Sequence, residues 1–80
     1  MELQYYQPAA KEDHLREMIT EALSSLPPEP EPSEVAAWIK VNKGVDASPV
    51  AIGQLLRSID YRTDFIFRDG KGRRVIRRNP

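Results

Sequence analysis

The sequence predicts a small α+β domain, mostly helical: three helices followed by a two-stranded hairpin at the C-terminal end. Three observations predict it. Apolar residues recur at three- and four-residue steps in three separate stretches. Four prolines in the six residues 27–32, PPEPEP, separate the first stretch from the second. An alternating segment, TDFIF, then runs through Asp69-Gly70-Lys71-Gly72 into a second strand-like run. At 80 residues the chain suffices for one domain, near the lower limit of what folds unaided.

Residues 1–8 show no period and are expected to be irregular. The first helix is expected from about Ala9 to Ser25, with Leu15, Met18, Ile19, Ala22, Leu23 and Leu26 on its apolar face. Its acids Glu12, Asp13 and Glu17 come early, where the helix dipole favours negative charge. The prolines of residues 27–32 fix φ and remove N–H donors, so this stretch reads as a stiff internal spacer within a single domain, residues 9–78. Ser33 is expected to cap the second helix, with Val35, Trp38, Ile39 and, at the margin, Val41 on or near one apolar face and Gly44 at its left-handed end. Residues 79–80 form a tail, and Val45–Ala47 is too short to decide whether a third strand lies there.

The third helix has a mechanism at its start. Ser48 can accept a hydrogen bond from a first-turn N–H, and Pro49 at the first helical position loses no needed donor. Ile52, Leu55, Leu56 and Ile59 form one apolar stripe. The opposite face carries Val50, Gln54 and Arg57, flanked by Ala51, Gly53 and Ser58. In mid-helix, Gly53 costs about 1 kcal/mol relative to alanine, which is easier to understand where another surface approaches closely. In the strand that follows, Phe65 and Phe67 share one face and Asp64, Ile66 and Arg68 the other. Phe65 is expected to join Trp38, Leu15, Ile19, Leu23 and the third helix's stripe in one core.

Net charge is zero, yet residues 1–34 carry −6 and residues 35–80 carry +6. Such a split suggests that the basic half faces an anionic partner, unless the two halves neutralise each other inside the fold. The hairpin concentrates the charge: Arg68, Lys71, Arg73, Arg74, Arg77 and Arg78 stand against Asp69 alone. An edge strand guarded against aggregation needs only one or two lysines. Six cations on one hairpin make most sense where phosphates relieve their repulsion.

Two short helices joined by a glycine-containing turn, then a basic hairpin, resemble the winged-helix superfamily. The stretch SPVAIGQLLRSIDYRTDFIFRDGKGRRVIRRNP is similar, more narrowly, to the C-terminal winged helices of phage and mobile-element primase-helicases, through IGQLLRSI and GKGRRVI. The resemblance covers about residues 33–78. It departs at Asp60-Tyr61, where the family has a glycine after the recognition helix. It implies a three-helix winged helix-turn-helix that binds origin or template double-stranded DNA for a replication protein. The third helix would then enter the major groove through Ser48, Val50, Gln54 and Arg57, with the hairpin cations on the backbone or in the minor groove. The alternative is a protein-association module working through its acidic first helix.

Catalysis is not expected of this chain, although a larger parent could be an enzyme. There is no cysteine, and His14 is the only histidine, which leaves no nucleophile–base pair and no metal-ligand cluster. No glycine loop of the phosphate-cradling kind opens a helix. No cofactor is implied. With no membrane-spanning apolar run and no signal-peptide pattern, the expectation is a soluble cytoplasmic protein, nucleoid-associated if it binds DNA.

Overall fold

The computed structural model describes residues 8–80, with side chains from Asp13 onward. Of the segment expected to be irregular, residues 1–7 lie outside the described residues, and Pro8 opens the first helix. The order is α1 (Pro8–Ser25), α2 (Pro32–Lys43), α3 (Pro49–Leu55), a 3-10 turn (Leu56–Ile59), β1 (Tyr61–Arg68) and β2 (Lys71–Arg78). Three helices and a C-terminal antiparallel hairpin make a winged-helix-like α+β fold, as the sequence pattern predicts.

Several local expectations change. The helix begins at Pro8 and its first turn holds no acid, so Asp13 and Glu17 come after the stretch where the helix dipole acts. Glu31, not Ser33, caps α2. Pro32 occupies the first helical position, and the Glu31 N–H donates to Glu34 Oε1 at 2.7 Å. Gly44 does end α2 in the left-handed conformation, with φ 68°, and its N–H donates to the Lys40 carbonyl. Ser48 caps α3 as expected, its Oγ accepting from the Ala51 N–H at 3.0 Å. The helix then tightens into a 3-10 turn after only seven residues. Asp60 ends that turn at φ 64°, filling the left-handed position otherwise suited to glycine.

The core lies between the helices and the base of the hairpin. Ile19 and Ala22 from α1, Val35 and Ile39 from α2, Ile52 from α3, Leu56 and Ile76 are its buried members. Leu15, Leu23, Trp38, Leu55 and Ile59 pack around them, half-buried. Phe65 is not part of this core. It is 65% exposed, and Val41, expected on or near the apolar face of α2, is 81% exposed. Polar contacts between elements add to the packing: Lys43 pairs with Glu21 at 2.8 Å, and Arg16 Nε donates a hydrogen bond to Ser58 Oγ at 2.7 Å.

Asp69 and Gly70, with φ 56° and 77°, form the two-residue turn that joins β1 to β2. Gly72 belongs to β2 instead, paired with Phe67. A Cβ there would collide with the Phe65 ring, so glycine at 72 serves the aromatic, not the turn. The edge of β2 away from β1 is met by the proline stretch: the Ile76 N–H donates to the Pro30 carbonyl at 2.8 Å. Val45–Ala47 forms no strand. Residues 27–31 are therefore more than a spacer. Pro30 is buried, and the chain bends at Glu29, whose φ is 58°.

Candidate nucleic-acid interface

Strand alternation and the register divide the hairpin into two faces. Pairs Tyr61–Arg78, Thr63–Ile76, Phe65–Arg74 and Phe67–Gly72 lie on one; pairs Arg62–Arg77, Asp64–Val75, Ile66–Arg73 and Arg68–Lys71 lie on the other. Ile76 is on the first face and packs into the helical core, so that face continues the surface of the helices.

The second face meets the proline–glutamate linker. Arg77 Nε donates to Glu29 Oε2 at 2.8 Å and its Nη1 to Asp64 Oδ2 at 3.3 Å. Arg68 Nη2 lies 3.6 Å from Glu29 Oε1. Arg73 Nη1 donates to Glu31 Oε2 at 2.8 Å, and Arg62 Nε to Asp64 Oδ2 at 3.2 Å. Val75, between Arg73 and Arg77 on this face, is fully buried although it lies outside the helix-side core. The left-handed backbone at Glu29, which costs a non-glycine residue about 1–2 kcal/mol, accompanies a carboxylate that meets two arginines at once.

On the first face the hairpin strands contribute no carboxylate. Its cations are Arg74 and Arg78; Lys71, beside the turn, belongs by register to the second face. Together with Arg57 of the 3-10 turn, they have no ion-pair partner among the described residues. Val50, Gly53, Gln54 and Arg57 line one open groove with Thr63 and Arg74 of the hairpin. The one acid on that lining is Glu31, whose carboxylate Arg73 engages. Val50 is 69% exposed, and Gln54 and Arg57 are exposed as expected. Nothing lies within 4 Å of a Cβ built on Gly53, so among the described residues no neighbour accounts for that glycine; it opens onto the groove.

The ten candidate residues thus fall into three groups. Val50, Gln54, Arg57 and Arg74 are brought to one groove, and Ser48 stands at the start of the same helix with its hydroxyl used in the cap. Lys71 and Arg78 lie at the tip and base of the hairpin. Arg68, Arg73 and Arg77 turn to the linker carboxylates. Sequence reasoning missed Glu29 and Glu31 as partners of the hairpin, and it placed Phe65 inside. Strand alternation did put Phe65 and Phe67 on one face, but does not say which positions of that face the helices cover.

Among the described residues, no group of three His, Cys, Asp or Glu side chains is placed to hold a metal ion, and no helix is long and apolar enough to cross a membrane. His14 is exposed. Comparison with known proteins gives no match to a family model, a curated protein or a solved structure.

Proposed function

We propose that this domain binds double-stranded DNA through α3, Arg74 and Lys71. The observation that carries the reading is one open groove on which Gln54, Arg57 and Arg74 converge, with Lys71 at the hairpin tip and no acid left uncompensated on the lining. Gln54 and Arg57 suit adenine and guanine edges in the major groove, while Arg74 and Lys71 suit phosphates. Gly53 leaves room for a close approach. The acidic side chains Asp13, Glu17 and Glu21 are exposed on α1, and a second reading uses that helix as a protein-binding face. The narrower idea of a replication protein of a phage or mobile element, working in the cytoplasm at the nucleoid, rests on the similarity of residues 33–78 to primase-helicase winged helices.

The test is fluorescence anisotropy with a duplex selected from random sequence. Arg57→Ala is expected to cost about 1–3 kcal/mol on the selected site and little on random duplex. Arg74→Ala is expected to weaken both alike. If wild-type protein shows no salt-dependent affinity for any duplex, DNA binding is wrong and association through α1 takes its place.

A further inference from the structure

Two large aromatic side chains stand uncovered on the face just described. Phe65 and Phe67 are 65% and 77% exposed, with ring centroids 5.9 Å apart and planes at 88°. Packing accounts for part of this. An edge-to-face pair stabilises a strand, and the Phe65 ring lies over Gly72, which a side chain would displace. Most of both rings nevertheless remains in water, in a domain small enough to need every apolar group it can bury. Their surroundings narrow the choice of what would cover them. Arg74 is the cross-strand partner of Phe65 and no carboxylate of either strand shares the face, while Lys71, on the opposite face by register, and Asp69 stand at the adjoining turn. An apolar protein surface would have to desolvate these cations without neutralising them. A nucleic acid supplies both flat apolar rings for the phenylalanines and phosphates for the cations.

We infer that Phe65 and Phe67 form a stacking platform for unpaired bases, so that the preferred ligand is DNA in which a duplex meets a single strand. This rests on the DNA-binding reading above and adds to it the structure of the DNA. In a continuous duplex the faces of the bases are covered by their neighbours, and a stacking residue must first unstack a step, at some cost. At a junction the first unpaired bases present their faces freely. Arg74, the cross-strand partner of Phe65, lines the groove with α3, so the rings stand beside the surface proposed to meet the duplex.

The experiment compares a blunt duplex with the same duplex carrying short unpaired arms, using the whole chain and 2-aminopurine at the first unpaired position. Wild-type protein is expected to bind the forked DNA about fivefold or more tightly, the effect of one stacked base, and to quench the probe. A Phe65→Leu/Phe67→Leu variant keeps apolar bulk on the strand but has no flat ring. It is expected to retain the wild-type circular dichroism spectrum and blunt-duplex affinity while losing the fork preference and the quench. Equal affinity of wild type for both DNAs, or a fork preference that survives in the leucine variant, overturns the platform and leaves duplex binding intact. Failure to bind either DNA overturns both. A DNA-free dimer in sedimentation that the leucine variant abolishes would make the patch a contact between copies and also overturn the platform.

Discussion

The two faces of the hairpin come from the same two strands and differ in almost everything else. One face carries Arg68, Arg73 and Arg77 against Glu29, Glu31 and Asp64, with Val75 fully buried among them. The other carries Arg74 and Arg78 with no ion-pair partner among the described residues, and two exposed phenylalanines. A count of cations along the strands treats all of these arginines alike. The fold separates those that hold the molecule together from those left available to a ligand. The lesson concerns charge clusters in small domains: six cations on a hairpin do not make six phosphate contacts when an acidic segment from the other half of the chain lies against one side.

The largest expected effect sharpens the contrast along a single face. Ile76 and Phe67 point the same way, yet Ile76 is buried and Phe67 is not. Ile76→Ala should cost about 2–5 kcal/mol in urea melts, as should Leu56→Ala, while Phe67→Ala should cost under about 1 kcal/mol. Comparable losses at 76 and 67 would mean that the hairpin tip is covered in solution.

Next comes the contrast between neighbours on opposite faces. Arg74→Ala should flatten the dependence of log K on log salt by about 0.9, the loss of one phosphate contact. Arg73→Ala should leave that slope nearly unchanged, because its guanidinium already serves Glu31. Equal slopes for the two variants would erase the distinction between the faces.

The linker can also be made to release its side. Glu29→Gln removes the charge that meets Arg68 and Arg77. These pairs are partly exposed, so the stability change should be only about 0–1 kcal/mol. DNA affinity at low salt should rise, with a salt slope steeper by up to about 0.9 for each arginine that gains a phosphate. Unchanged DNA binding would show that this face points away from the ligand.

The smallest effect is spectroscopic. With the Phe65 ring over Gly72, the Gly72 Hα resonances should be shifted upfield by the ring current. Phe65→Leu should return them toward ordinary values in a proton spectrum while the backbone hydrogen bonds of the hairpin persist. Resonances already at ordinary positions in wild type would place the ring elsewhere.

Local chemistry sufficed for much of this protein. The Ser48 cap, the left-handed Gly44, the Asp69-Gly70 turn and the alternation of β1 each depend on a few consecutive residues, whose φ preferences and side-chain spacing are written in the sequence. So was the outward face of α3, because a 3.6-residue period that turns Ile52 and Leu56 inward turns Val50, Gln54 and Arg57 outward. Tertiary structure alone decided where the charge went. Arg73 meets Glu31 across 42 residues and Arg77 meets Glu29 across 48, through a linker whose bend at Glu29 no local pattern signalled. It also decided the fate of Phe65. Strand alternation assigns a residue to a face, but whether a position on that face is covered depends on how the helices pack against the hairpin. That is a property of the packed molecule, since burial requires a second surface and the strand supplies only one.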